Sequence, residues 1–247
     1  MIRPGLPKFA FAGGTVRTLL AVATVLAAAL PVRSEPVETV RPSPYPDGGI
    51  VSLTFDDGLA TTYDQAAPIL SRHGLTGTVY VTTDFVGQTG RATWQELQDL
   101  QNRLGWEIGS HSKTHAQLST LRDDAVRTEL TESKLRLEAN GLKVDTFASP
   151  YGDYDYRVLA EVLRNYSAHR GFRERATFNR WPYEPLRLRV QSVETLTPVE
   201  SVIGWIDDAI SRGEWLILVF HEVFAEPCAE YRFCTTSADL ERIVGHL

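Results

Sequence analysis

Hydrophobic and polar positions divide the chain into two alternating kinds of segment. Short runs rich in β-branched and aromatic residues predict strands at 50–55, 77–82, 106–110, 145–149, 167–170, 188–193 and 215–220. Longer stretches with helical spacing of apolar residues lie between them, at 64–73, 93–104, 120–139, 155–165 and 198–212. Strand followed by helix, repeated, predicts a parallel sheet of the α/β class, and seven such strands indicate a closed or nearly closed barrel.

Two of the predicted helices carry start signals. Thr93 and Glu96 predict a capping box for the second helix, and Thr120 with Asp123 predicts a similar start for the third. In barrels of alternating strands and helices, reactive residues lie on the loops that follow the carboxyl ends of the strands. Candidate functional residues should therefore follow the predicted strands directly.

The first segment of the chain has the pattern of an export signal. Arg3, Lys8 and Arg17 precede an apolar stretch from Leu19 to Leu30, which predicts a signal peptide over residues 1–34. A helix needs ~20 apolar residues to span a bilayer, so a permanent membrane anchor is the less favoured alternative. Residues 35–49 are rich in proline and predict an extended linker. The pattern predicts export to the periplasm, the cell surface or the medium, without stable membrane insertion after signal cleavage.

Composition is consistent with one folded domain at 50–247. Of the 247 residues, 43% are hydrophobic and 23% are charged, as in ordinary globular domains. The formal net charge of -6 argues against a nucleic-acid partner, because phosphate binding needs a basic surface. Cys228 and Cys234 are the two cysteines, and in an exported chain they suggest a disulfide, with two unpaired thiols as the alternative.

Carboxylates and imidazoles follow the first and third predicted strands. Asp56 and Asp57 precede Gly58, a pattern that by itself is most often a solvated turn. His111 and His115 are four residues apart, which places both imidazoles on one face of a helical turn, as a shared metal ion requires. Two imidazoles and one carboxylate form a three-ligand site with open positions, and a second carboxylate beside it can act as a base.

Two further motifs follow the fourth and the last predicted strands. Pro150 and Tyr151 precede Gly152, and His221 ends an apolar run. Each motif also has a purely structural interpretation, as a turn and as a buried histidine. Four motifs at four strand ends nevertheless favour one shared site.

With these motifs the chain resembles the NodB-homology polysaccharide deacetylases, carbohydrate esterase family 4, over residues 50 to about 222. The resemblance implies a distorted (β/α)7 barrel with a single catalytic domain, here at 50–247. It also implies that Asp57, His111 and His115 bind one divalent metal ion. This ligand set suits Zn2+ first, with Co2+, Ni2+ or Mn2+ as alternatives.

The resemblance further implies a reaction, the removal of N-acetyl or O-acetyl groups from an acetylated polysaccharide or oligosaccharide. Asp56 is the implied base, His221 the implied acid and the Tyr151 backbone N–H the implied oxyanion donor, with Pro150 as an auxiliary residue. Two other functions stay open. One is a carbohydrate-binding pseudoenzyme, and the other is an esterase or amidase that acts on a non-polymeric substrate.

The chain departs from the family pattern in two places. The third motif usually has an arginine where this chain has Ala148, so the cation beside the base is missing. Arg170, at the end of the fifth predicted strand, is the candidate replacement, and a rim arginine paired with an exposed acid is the alternative. The Asp-Trp motif that tunes the acid has no counterpart, because Asp207 and Asp208 lie in a helical pattern.

Several aromatic and histidine residues have no assigned role. Trp181 and Tyr183 follow the fifth predicted strand, where they either stack on sugar rings or pack the loop, and packing is favoured. His169 and His246 show no partner in the sequence.

Overall fold

A computed structural model describes residues 48–172, 177–228 and 230–247. The predicted signal peptide at 1–34 and nearly all of the predicted linker at 35–49 lie outside these ranges. No helix within them is long and apolar enough to cross a membrane.

Parallel strands form the centre of the fold. The strands are β1 Ile50–Phe55, β2 Thr78–Val81, β3 Glu107–Ser110, β4 Thr146–Ala148, β5 Ala168–Arg170, β6 Gln191–Ser192, β7 Trp215–Phe220, β8 Glu222–Phe224 and β9 Cys234–Thr236. The first seven form one parallel sheet in the order β5-β4-β3-β2-β1-β7-β6. Strands β8 and β9 form a separate parallel pair beyond the end of β7.

Helices follow most of these strands. They are α1 Ala67–Arg72, α2 Trp94–Asn102, α3 Asp123–Ala139, α4 Tyr156–Asn165, α5 Val199–Arg212 and α6 Ser237–Val244. A π-helical turn at Thr62–Ala66 leads into α1, and 3-10 turns lie at Thr83–Phe85, Leu118–Thr120, Pro150–Gly152 and Pro185–Arg187. Between β5 and β6, the described residues contain a 3-10 turn in place of an α-helix.

The sheet curls until its two edges share one segment. The N–H of Leu188 donates to the carbonyl of His169 at 3.0 Å, which ties residue 188 to the β5 edge. Three residues later, Gln191 pairs with Leu218 on the β7 edge. Residues 188–192 therefore bridge both edges, and the predicted distorted (β/α)7 barrel is confirmed.

Alternation along the strands separates two apolar layers. On β7, Leu218 and Phe220 pack in the main core with the helices, whereas Ile217 and Val219 belong to a second cluster on the other face of the sheet. On β1 the inward positions end in Asp56, which is 1% exposed. The barrel interior is thus apolar at the level of Ile217 and polar where the strands end.

Sequence patterns located these elements well, with three corrections. The capping box of Thr93 is confirmed, since its hydroxyl accepts from the N–H of Glu96 at 3.3 Å. The predicted start at Thr120 is wrong, because Thr120 ends a 3-10 turn and α3 begins at Asp123. The strand predicted at 188–193 is a regular strand only at Gln191–Ser192, with an isolated bridge at Leu188. The helix predicted at 64–73 begins with the π-helical turn.

The segment after β8 is closed by a disulfide. Cys228 and Cys234 are joined, with Cα atoms 6.4 Å apart, so the alternative of two unpaired thiols is wrong. Cys234 begins β9, which pairs with β8 next to the carboxyl end of β7. The disulfide therefore lies beside the end of the barrel where the strands have their carboxyl ends.

Candidate active site

Three side chains converge where β1 and β3 end. The Oδ1 atom of Asp57 lies 3.1 Å from Nε2 of His115 and 3.5 Å from Nε2 of His111. One ligand atom from each of the three lies within 4.8 Å of the others, and the described ranges contain no second such group of histidine, cysteine or acidic residues. Two imidazoles and one carboxylate fit a divalent metal ion and leave further coordination positions open.

The two histidines converge through a loop, so the predicted helical turn is wrong. Residues 111–117 contain no helix, and Ser112 and His115 have positive φ angles of 64° and 62°. The His115 N–H donates to the Ser112 hydroxyl at 3.0 Å. Positive φ is uncommon for residues other than glycine and is concentrated at functional sites. The loop brings the two imidazole centroids to 5.0 Å.

A buried glutamate holds this loop in place. Oε2 of Glu129, in α3, accepts from the backbone N–H groups of Lys113 at 3.0 Å and Thr114 at 2.8 Å. Its Oε1 accepts from the Thr114 hydroxyl at 2.7 Å. These bonds satisfy a carboxylate that is only 7% exposed. Glu129 was not among the residues predicted from the sequence. The one sequence signal for it is an acidic residue on the buried stripe of α3, beside Val126 and Leu130.

A second contact sets the tautomer of His111. Nδ1 of His111 lies 2.8 Å from the carbonyl oxygen of Ala148. Since a carbonyl only accepts, Nδ1 carries the proton and Nε2 presents its lone pair toward Asp57. Burial, opposed by the charges of Asp56 and Asp57, lowers the pKa of His111 to about 4. The ring is therefore neutral at neutral pH, as a metal ligand must be.

Asp56 is buried against a cation from the far side of the barrel. The Arg170 guanidinium contacts the Asp56 carboxylate, and both residues are 1% exposed. The guanidinium also lies 4.3 Å from the ring centre of Tyr80. Burial raises the pKa of Asp56, but the charges of Arg170 and His111 outweigh it and hold the pKa below the usual range. The structure thus places Arg170 on Asp56 and not on the rim.

The motif after β4 forms a tight turn beside His115. Pro150 is buried at the start of the turn, and Tyr151 has a positive φ of 58°. The ring of Tyr151 contacts His115 edge to face at 4.7 Å. The turn closes with the Gly152 N–H donating to the Ser149 carbonyl at 2.9 Å. The turn and the Tyr151 ring therefore lie at the edge of the cluster that Asp57, His111 and His115 form, called here the metal-ligand cluster.

His169 has partners, contrary to expectation from the sequence. Its Nε2 lies 2.8 Å from the Ser149 hydroxyl, and its Nδ1 lies 2.7 Å from the carbonyl of Leu186. Burial lowers the pKa of His169 to about 4, so the neutral ring accepts from Ser149 and donates to Leu186. His169 therefore fixes the turn that carries Tyr151. His246 also has a partner, Asp207, at 2.7 Å on the outer helices.

His221 stands on the opposite wall of the same cleft. The cleft has a volume of about 640 Å³ and contains the metal-ligand cluster, Asp56, Tyr151 and His221 in its lining. Within the described ranges, Nδ1 of His221 and the Ser192 hydroxyl are buried without a hydrogen-bond partner. The ring of His221 packs on Phe233 with centroids 4.8 Å apart.

The loop aromatics lie away from this cleft. Trp181 packs on Tyr183 at 5.5 Å, and Tyr183 packs on Trp215 at 5.2 Å. Because Trp215 begins β7, this cluster lies near the amino ends of the strands, opposite the cleft. The favoured interpretation, loop packing, is the one that the structure supports.

Comparison with protein families gives a match over the first strands of the barrel. Residues 44–168 match the sequence model described as "Polysaccharide deacetylase". Chitin deacetylase 1 of Cryptococcus neoformans is 28% identical over 116 residues, which is 47% of this chain and 24% of that protein. The chain spans less than half the length of the first curated relatives it matches.

Solved structures share the fold. A polysaccharide deacetylase from Bacillus cereus has a TM-score of 0.56 and 25% identity, over 63% of this chain and 50% of that one. A family 4 pseudoenzyme from Bacillus anthracis has a TM-score of 0.55 over 81% of this chain and 61% of that one, at 17% identity. The second similarity extends to the fold alone.

Removing the Glu129 carboxylate should weaken metal binding. Glu129→Ala removes the acceptor of two backbone N–H groups and of one hydroxyl, so the loop between the two histidines loses its fixed shape. We expect the Zn2+ dissociation constant, measured by competition with a chromophoric chelator, to rise about 10- to 100-fold. Glu132→Ala is the matched control, because Glu132 is an exposed acid on the same helix and contacts the Lys113 side chain instead of the loop backbone. Equal Zn2+ affinity in both variants would contradict the role given to Glu129.

Proposed function

Because the chain belongs to the polysaccharide deacetylase family, we propose that it is a metal-dependent hydrolase that removes acetyl groups from a polysaccharide outside the cytoplasm. One observation carries the proposal. Three potential metal ligands (Asp57, His111 and His115), a buried ion-paired carboxylate (Asp56) and His221 line one cleft. N-acetyl groups are the first choice of substrate, and O-acetyl groups the second.

The metal ligands are the three residues that meet at the ends of β1 and β3. Asp57, His111 and His115 would hold one divalent ion, with Zn2+ the first choice for this ligand set. When bound, that ion supplies Lewis-acid polarisation of the acyl carbonyl and acidifies water. The Ala148 carbonyl keeps the proton of His111 on Nδ1, which leaves Nε2 for coordination.

Asp56 is the proposed base. Its pKa lies below the usual range in spite of burial, chiefly because of the Arg170 charge, so the carboxylate is ionised at neutral pH. An ionised carboxylate beside the ligand cluster accepts the proton that the attacking water loses. The contact with Arg170 also fixes the direction of the carboxylate.

Tyr151 and His221 complete the proposed mechanism from the two walls. The Tyr151 backbone N–H would donate to the oxyanion, and the His169 to Ser149 hydrogen bond holds the turn that carries it. Pro150 supports the same turn from a buried position. His221 would protonate the departing sugar amine, which is a poor leaving group without that proton.

The contact of Arg170 with Asp56 favours an enzyme over the alternative of a carbohydrate-binding pseudoenzyme. A missing cation beside the base would favour a pseudoenzyme, but Arg170 places a cation there from another strand. An esterase or amidase acting on a non-polymeric substrate would use the same groups, so a panel of N-acetyl and O-acetyl substrates separates the two. Export rests on the sequence pattern of residues 1–34.

Loss of Asp57 should abolish metal binding, whereas loss of Asp56 should abolish turnover. Asp57→Ala should lose metal, whereas Asp56→Asn should retain metal and lose turnover by about 100-fold or more, since an amide cannot accept the proton. Metal content by mass spectrometry and hydrolysis of acetylated chito-oligosaccharides are the measurements. Equal metal loss in both variants would refute this division of roles. Full hydrolysis by chelator-treated, metal-free wild type would refute the metal dependence.

His221→Ala should damage amide hydrolysis more than ester hydrolysis. An aryl acetate has a leaving group that departs without a proton, so its hydrolysis should fall less than that of an N-acetyl sugar. The ratio of the two kcat/KM values, compared between variant and wild type, is the measurement. A loss of both activities by one common factor would mean that His221 is structural.

Arg170→Met should lower turnover and shift its pH dependence. Removing the cation raises the pKa of Asp56, and a base works only above its pKa, so the acidic limb of the kcat/KM profile should move to higher pH. Arg170→Lys keeps a charge and is the control, expected to move the limb less. Zn2+ content should stay at the wild-type level in both. A wild-type profile in Arg170→Met would dismiss the role of Arg170.

A further inference from the structure

One wall of the cleft is built by the segment from β8 to β9. This segment is closed by the Cys228–Cys234 disulfide, and it contributes Arg232 and Phe233 to the cleft lining. Glu194, just after β6, lines the cleft beside them. None of these three side chains has a part in the mechanism above.

Three hydrogen bonds to Thr195 and Glu222 hold the backbone at Arg232 and Phe233. The Thr195 N–H donates to the Arg232 carbonyl at 3.0 Å, and the Glu222 N–H donates to the Phe233 carbonyl at 3.2 Å. The next residue, Cys234, donates its N–H to the Thr195 hydroxyl at 3.3 Å. Their side chains therefore extend from a fixed backbone, as a preformed binding surface requires.

The three side chains form a continuous series of contacts that leads outward from His221. The Phe233 ring lies against the His221 ring, and the Arg232 guanidinium lies 4.9 Å from the Phe233 ring centre. Nε of Arg232 is 3.3 Å from Oε2 of Glu194. These groups stay accessible, with side-chain exposures of 74% for Arg232 and 37% for Glu194. An exposed ion pair adds little to folding stability, so stability alone does not account for the arrangement.

The chemistry of this wall matches a sugar ring. The part of Phe233 that stays exposed, 38% of the residue, can contact apolar C–H groups of a pyranose. A guanidinium donates to hydroxyl oxygens, and a carboxylate accepts from hydroxyl groups. Arg232 and Glu194 carry opposite charges, so the wall as a whole is neutral. It therefore suits a neutral saccharide better than a uronic acid or a sugar amine.

We infer that Glu194, Arg232 and Phe233 form a subsite for the neutral saccharide unit next to the one that loses its acyl group. The inference rests on the proposed deacetylase function and adds a substrate class to it. A monosaccharide leaves this subsite empty, so the substrate class is a chain of at least two neutral sugar units.

The test compares substrates of different length with two arginine variants. The probes are N-acetyl chito-oligosaccharides of one to five units and an aryl acetate. For Arg232→Ala we expect KM for the longer oligosaccharides to rise about 10-fold, with the aryl acetate and the monosaccharide unchanged. Arg212→Ala is the matched control, because Arg212 at the end of α5 also pairs with an exposed acid, Asp208, and lies over a phenylalanine ring, that of Phe178, outside the cleft lining. It should behave as wild type on every probe.

A binding measurement without turnover separates this inference from the proposed function. Chelator-treated protein should bind the four-unit oligosaccharide by calorimetry, and Arg232→Ala should bind it about 10-fold more weakly. Wild type without activity on any probe would refute the proposed function, even where binding is retained. The subsite would be overturned if an active wild type had a KM that does not depend on chain length. It would also be overturned if Arg232→Ala kept the length dependence of the wild type.

Discussion

The buried pair of Arg170 and Asp56 is the contact on which the cleft depends. The two residues are 114 positions apart in sequence. Arg170 ends β5 and Asp56 directly follows β1, and three other strands separate β5 from β1 in the sheet. They can touch only across the interior of a curled sheet. Each charge is almost fully buried, and a buried charge without its partner costs about 3–5 kcal/mol. The pair therefore requires the curvature of the barrel, and the Arg170 guanidinium lies over the Tyr80 ring at 4.3 Å from its centre.

Two adjacent aspartates reach one cleft because the backbone breaks the alternation of a strand. In a regular strand, Asp56 and Asp57 would lie on opposite faces. Asp56 keeps the inward direction of β1, whereas Asp57 has a φ of 72° and presents its carboxylate to His115 and His111. The Arg91 guanidinium donates to the Asp57 carbonyl at 2.8 Å and holds this conformation. The different partners of the two carboxylates thus follow from a single backbone turn.

Sequence reasoning located the strands and the residues at their ends, because both signals are local. Period-two alternation and the motifs after each strand are visible within a few residues, as at Asp57 and His221. Contacts between distant segments were harder to derive. Arg170 was identified only as one of two alternatives, and Glu129 was missed because a helix pattern does not show what its buried carboxylate meets. The loop between His111 and His115 was predicted as a helical turn, since spacing alone does not reveal positive φ angles at intervening residues.

The two walls of the cleft are held by different kinds of contact. On the wall that carries Asp56, ion pairs and hydrogen bonds fix the orientation of the side chains. Arg170 orients Asp56, Ala148 orients His111, and His169 orients the Tyr151 turn. On the acid side, Nδ1 of His221 is buried without a hydrogen-bond partner among the described residues, and its ring is placed by packing on Phe233. Packing restrains a ring's position but leaves its tautomer free, which suits a group that must carry and release a proton. Because Phe233 contacts both His221 and Arg232, a saccharide bound to this wall would press on the residue that orients the acid. If both proposals hold, the wall that would bind the polymer is also the wall that positions the proposed proton donor.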